Sequence, residues 1–198
     1  MADALADVYV KLDGMTGECT DESHPGKDGW IQIKKFNFGF GMPEGSWDGG
    51  GTGSAGSAGS GGNGGSSGGA GANNFPLDFP DASLTKDSDL SSTRLLKEKC
   101  HEGAPIKRLE LVACRQGGKD EANPKIPFLT IIFTNVYIKS ISLSVSQDEL
   151  PSETIKFKYD IVQMKTIWTD NETGDRLVAD PNRCGWDREN NKEYVSQD

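Results

Sequence analysis

The sequence predicts a mainly β protein: a compact β-barrel of two packed antiparallel sheets with one short helix alongside. Three observations carry this. Apolar and polar residues alternate through most of the hydrophobic segments, as they do on strands with one wet face. Only one stretch, Asp89 to Cys100, carries helix signals. About seven strand patterns beside a single helix favour a barrel or sandwich over alternating βαβ units.

The elements follow in order. Val8, Val10 and Leu12 alternate with Asp7, Tyr9 and Lys11, a half-buried strand. A turn-rich segment with Gly14, Gly17, Pro25, Gly26 and Gly29 leads to a second strand pattern through Trp30, Ile31, Ile33, Phe36, Phe38 and Phe40. Its alternation slips between Ile33 and Phe36, which suggests a bulge. Phe75, Leu77 and Phe79 resume the alternation, and Pro76 and Pro80 mark that strand as short or at an edge. In the helix, Ser88 or Asp89 supplies the cap, and Leu90, Leu95, Leu96 and Cys100 form an incomplete apolar face. Lys97 and Lys99 suit its C-terminal dipole, and Gly103 and Pro105 stop it. Strands are then expected at Ile106–Cys114, with Leu109, Leu111 and Ala113 on one face, at Phe128–Ile138, at Ile141–Val145 and at Glu153–Trp168. Asn171 to Gly174 reads as a turn, and Leu177-Val178 as the start of a further short strand.

One segment stands apart. Of the 25 glycines in 198 residues, 14 fall in the 28 residues from Gly45 to Ala72, with six serines and four alanines. Glycine loses the most backbone entropy on being fixed, and almost nothing there can be buried. Residues 45–72 therefore read as a flexible insertion within a single domain of 1–198, a long loop costing little more to close than a short one.

Composition removes several function classes. The net charge of −9 and pI near 4.8 oppose phosphate backbones, so nucleic acid is not an expected partner. No window approaches a membrane span, so no membrane insertion is expected. Met1 to Leu12 carries Asp3 and Asp7 and lacks the basic start and apolar core of a cleaved secretory signal. The four cysteines, Cys19, Cys100, Cys114 and Cys184, include no CxxC pair and read as reduced thiols.

Chemistry-bearing patterns are sparse. His24 and His101 sit at no metal-ligand spacing, and Glu18, Asp21, Glu22 and Asp28 do not follow an EF-hand. The glycine segment lacks a G-K-[ST] ending and is not a phosphate loop. No catalytic, cofactor-binding or metal residue is assigned, and an interaction or structural protein is expected rather than an enzyme. Two basic pairs, Lys34-Lys35 and Lys107-Arg108, sit on or beside strands. In an acidic chain such patches either orient docking between copies or are simply solvated.

The ordered motifs resemble the Hcp family, the haemolysin-coregulated proteins of the bacterial type VI secretion tube. They run from Asp7-Val-Tyr-Val-Lys-Leu12 through Gly17-Glu-Cys-Thr-Asp21 and His24 to Phe38-Gly-Phe-Gly41. They continue with Phe79, Leu84, Asp89, Ser91-Ser92, Leu95 and Cys100-x-x-Gly103. Lys107, Leu111, Phe133, Val136, Ile138-x-Ser140-Ile141, Glu153, Phe157, Tyr159, Ile161 and Gly185-Trp186 complete the series. Cys19 stands where the family often has Ser, Asp187 where it often has Asn, and the glycine expansion exceeds the usual loop.

The resemblance implies a structural subunit that forms homo-hexameric rings, stacks them as a tube, and carries or shields effectors. It implies a contractile sheath, a spike protein and effectors as partners. It also implies residence in the bacterial cytoplasm before firing and secretion without a cleaved signal. Lys34, Lys35, Lys107 and Arg108 are then the candidate subunit-interface residues. Trp30, Phe36, Phe38, Phe40, Phe75 and Phe79 form the arms of a candidate ring-stacking loop. The competing readings are a β-barrel carbohydrate-binding module or small hydrolase, and a phage-like contractile-tail tube protein.

Overall fold

The computed structural model describes residues 6–41, 78–101, 105–116, 125–168 and 182–194. The expected loop 45–72, Phe75, Leu77, the Asn171–Gly174 turn and the Leu177-Val178 strand lie outside the described residues.

Strand β1, Asp7–Leu12, lies between β2, Trp30–Ile33, and β5, Ile106–Gln116. β5 pairs in turn with β6, Lys125–Ser144. Cross-strand rows put the expected apolar faces together: Ile31, Val10, Leu111 and Ile131 share one row, and Leu12, Leu109 and Phe133 the next. All seven are buried. Burial of such β-branched and aromatic side chains, at about 1.5–3 kcal/mol each, is what holds the strands in register.

The expected slip after Ile33 is a change of partner rather than a bulge. β2 ends at Ile33, Lys34 makes the step, and β3, Lys35–Asn37, pairs with β4, Ala82–Asp87. β4 pairs on its other side with β7, Ser152–Lys158. β4 is absent from the sequence reading because an inward position of its alternation, Ala82, Leu84, Lys86, is taken by a lysine.

The two strands expected at Phe128–Ile138 and Ile141–Val145 are one twenty-residue strand, β6. Along one edge it takes β5 as far as Val136. Along the other it takes β8, Ile161–Thr166, against Leu129 to Thr134, and then β7 against Tyr137 to Ser144. The single strand expected at Glu153–Trp168 is therefore two collinear strands, interrupted at Tyr159 and Asp160. The interruption faces Asn135, which bends β6 with a φ of 54°, a left-handed conformation asparagine tolerates. β9, Asn182–Asp187, follows on β8, and β10, Lys192–Glu193, on β9.

These pairings correct the expected barrel of two packed sheets. Among the described residues all ten strands join a single sheet in the order β10-β9-β8-β6-β5-β1-β2, with β7, β4 and β3 branching from β6. The path ends at β10 and β2, which do not pair, so it does not close. The physical reason is the length of β6: one backbone serves both halves, and its hydrogen bonds merge what the sequence divides.

The helix α1, Leu90–His101, matches expectation to within a residue at each end. Asp89 caps it, accepting from the Ser91 N–H at 2.9 Å. Of the expected apolar face Leu95 is buried and Leu90 and Leu96 are exposed, while the Cys100 side chain lies outside the described residues.

Two units are distinguished, Met1–Gly39 with Pro80–Asp198, and Phe40–Phe79. In the first, Phe133 is the centre of an aromatic core, with ring centroids of Tyr159 at 4.7 Å and of Phe38 and Phe157 at 5.4 Å. In the second, Gly41 and Asp78 exchange backbone hydrogen bonds of 2.9 and 2.7 Å, and the Phe40 and Phe79 rings lie 6.2 Å apart.

Candidate functional site

The branch β3-β4-β7 with the second half of β6 has two chemically distinct faces. Phe36, Leu84 and Ile155 form a row on one face, and Phe157 lies opposite Ile138 on the same side. The other face is small and polar: Asn37, Ser83 and Lys156 form one row, and Lys35, Thr85 and Thr154 another. Ser140 and Ser142 extend these rows onto β6. Asn37 donates to Ser83 Oγ at 3.4 Å, and the Thr85 and Thr154 hydroxyls lie 3.2 Å apart. Both outer edges of the branch are open: among the described residues, β3 pairs only with β4, and β6 has no partner opposite β7 beyond Val136.

The sequence-selected residues fall in different places. Lys34 is ion-paired with Asp87 at 2.6 Å, and Lys35 is exposed on β3. Lys107 and Arg108 are exposed on β5, where Arg108 pairs with Glu110 at 3.2 Å. β1 lies between β2 and β5, so the two basic pairs do not meet. Arg108 instead borders an open cleft of about 560 Å³ with Thr130, Thr134, Gln163 and Lys165. Trp30 meets the His24 ring edge-on at 4.7 Å, and Phe36 and Phe38 pack on Phe133. Phe40 is exposed, Phe79 is buried, and Phe75 lies outside the described residues.

The sequence pattern gives the acids of the Gly17–His24 segment no role beyond their failure to follow an EF-hand, and the structure supplies one. Gly17 and Gly26 let two backbones touch: a Cβ on Gly17 would sit 2.1 Å from the Trp30 carbonyl oxygen. Asp21 then ties the loop down. It accepts from the Ser23 N–H at 2.9 Å, the His24 N–H at 3.1 Å, the Tyr9 hydroxyl at 3.2 Å and Lys125 Nζ at 2.5 Å. Lys125 also reaches Tyr9 Oη and, at 2.9 Å, Asp7. Burial opposes ionisation of Asp21, but the Lys125 hydrogen bond and charge outweigh it and hold the carboxyl at about 2. Burial pushes Tyr9 up to about 12. His24 stacks on Tyr9 at 4.4 Å, and its burial, only partly offset by Asp21, lowers its pKa. Glu18 reaches away to accept from the Leu90 N–H at 3.2 Å, so the same loop caps α1.

None of this makes a nucleophile. Burial raises both Cys19 and Cys114, the latter to about 11, which keeps them as thiols. Among the described residues no group of three His, Cys, Asp or Glu side chains is placed to hold a metal ion. No helix among them is long and apolar enough to cross a membrane.

The model of the family described as type VI secretion system effector, Hcp, matches residues 9–166. The chain belongs to the Hcp family. It is similar to a solved type six secretion system protein at 25% identity and a TM-score of 0.71, over 96% of this chain and 100% of that one. Hcp1 from Salmonella typhimurium is 21% identical with a TM-score of 0.65, over 97% and 100% of the two chains. A type VI secretion system effector from Yersinia pestis is 19% identical with a TM-score of 0.59, over 91% and 99%. These two likenesses show the fold. No curated protein matches the chain. As an Hcp protein the chain is a structural, tube-forming subunit of the type VI secretion system, not an enzyme. The Gly17–His24 motif behind the resemblance is thus a loop clamp and helix cap.

Proposed function

We propose that copies of this chain close a hexameric ring by joining the branch edges, the second half of β6 in one copy receiving β3 of the next. The observation that carries this reading is the branch itself, open at both ends and polar on one side. A cyclic ring uses two different patches per subunit, and two unlike edges meet that requirement. Edge strands left unpaired invite such additions. The hydroxyl-rich face with Asn37, Ser83, Thr85, Ser140, Ser142 and Thr154 then lines the bore. Its polar side chains, Lys35 and the exposed Lys156 among them, offer effectors no apolar anchor.

Stacked rings form the tube, with the sheath outside, the spike at its tip and effectors within. Assembly takes place in the bacterial cytoplasm, and the tube leaves through the secretion system. Family membership supports this route. Lys35, carried by the edge strand β3, is the foremost interface cation, with Lys34 at its side. Lys107 and Arg108, on another part of the sheet, are assigned to a separate contact between copies. Segment 45–72, with Trp30, Phe36, Phe38, Phe40, Phe75 and Phe79 on its two arms, is assigned to ring stacking.

The test is a cysteine pair across the proposed seam, Asn37→Cys with Ser140→Cys, under mild oxidation. Covalent ladders up to the hexamer are expected on denaturing gels, alongside rings in negative-stain micrographs. Monomer bands from a chain that is ring-shaped in micrographs would refute the seam, and a monomeric wild type would refute the ring.

A further inference from the structure

Eight large apolar side chains are exposed among the described residues, and four of them, Tyr137, Leu143, Val145 and Leu150, lie between 137 and 150 on β6 and the turn that follows it. Such concentration marks a contact surface. Leu143 lies opposite buried Glu153, and Ile141 opposite buried Ile155, so both belong to the apolar side of the branch. Helix α1 reaches β4 on that side through the Lys86 bond to Ser92, yet Leu143 remains 60% exposed. Asp148 and Glu149 at the tip of the same hairpin are exposed, and neither has an ion-pair partner among the described residues.

Strand directions say what meets this tip. β3, β4, β7 and β6 alternate in direction, each antiparallel to the next. Rotation about a ring axis leaves directions along that axis unchanged, so β3 of the next copy runs antiparallel to β6. Its N-terminal end then lies toward Ser144 and the hairpin tip. That end carries Lys34 and Lys35.

We propose that the β6–β7 hairpin tip is a clamp for the neighbouring copy. Asp148 and Glu149 meet the neighbour's Lys34 and Lys35, while Leu143, Val145 and Leu150 close over the neighbour beside them. The inference rests on the ring reading above and names which charges set its direction of closure. Opposite charges on two patches of one chain also keep like edges apart, since hairpin against hairpin brings acid to acid.

Charge exchange tests it. Lys35→Glu, and separately Asp148→Lys with Glu149→Lys, replace exposed side chains and are expected to leave the monomer's circular dichroism and melting unchanged. Each is expected to raise the concentration needed for ring formation at least tenfold, by native mass spectrometry at about 0.1 M salt, where screening is still incomplete. The chain with all three substitutions is expected to recover assembly. Rings from both partial variants at the wild-type concentration would overturn the clamp, as would failure of the triple variant to recover. A wild type that never assembles would overturn the ring reading and the clamp together.

Discussion

Replacing Lys86 by Met tests the account of the branch where it is most exposed to error. The Lys86 side chain is 1% exposed, and its ammonium lies 2.7 Å from Asp89 and 3.3 Å from Glu153, themselves 12% and 7% exposed. It also donates to Ser92 Oγ and to the Asp87 carbonyl, each at 3.0 Å. Methionine has similar length and fills the space, so the loss is electrostatic. Two carboxylates are left facing each other with their shared cation gone, and breaking a buried pair in this way costs about 3–5 kcal/mol. In a chain of this size each kcal/mol corresponds to about 2–4 °C in Tm, so a fall of about 6–20 °C is expected. Thermal unfolding followed by circular dichroism, at concentrations where the chain is monomeric, measures it directly, and urea unfolding reads the free energy. Adding Glu153→Gln to Lys86→Met is expected to return part of the loss by removing one stranded charge. A single variant within about 1 kcal/mol of wild type would refute the argument, because it would mean that α1, β4 and β7 are held together without this cluster.

Three further outcomes are expected. Asp21 is held at about 2 against an ordinary 3.8, so its contribution is complete above about pH 4 and disappears as the pH falls toward 2. Lys125→Met is therefore expected to move the acid-unfolding midpoint to higher pH, and superimposable acid curves would contradict the clamp on the Gly17–His24 loop. Gly17→Ala forces a Cβ to within 2.1 Å of the Trp30 carbonyl and is expected to cost about 2 kcal/mol or more by urea titration, whereas neutrality would show that the crossing can relax. Deleting residues 49–71 is expected to leave ring mass unchanged and to alter stacking into tubes, read by electron microscopy. Unaltered tubes and secretion would remove the segment from the stacking surface.

Alternation made the strands around the main core readable before any coordinates. Val10, Leu12, Leu109, Leu111, Ile131 and Phe133 each point where a period of two puts them. The same rule failed where a residue's chemistry hid its position. Lys86 is interior because two carboxylates and a serine meet its ammonium, a circumstance no local window contains, and β4 was missed with it. Asn135 and the Tyr159-Asp160 break lie opposite each other only once β6 and its partners are aligned, so one strand was read as two and two as one. The barrel expectation fell with that division. The assembly residues were legible as charges and aromatics but not by place. Phe36 and Phe38, read in sequence as loop arms, also pack against Phe133, a contact that no local window contains. The acids of the hairpin tip carry no local pattern, and their proposed relation to Lys35 lies between copies, where one sequence gives no signal.

β6 belongs both to the main core and to the branch. Its first half sets the row that places Phe133 in the aromatic core, and its second half decides whether Ser140 and Ser142 or Ile141 and Leu143 look into the proposed bore. A one-residue slip in a strand exchanges its two faces. Because one backbone spans both halves, a slip carried past the irregularity between Ile138 and Ser140 would both empty the core and turn leucine and isoleucine toward the proposed bore. A chain that packs correctly is thereby one whose proposed bore is wet, and a misregistered subunit would lose its fold before it could enter the proposed ring.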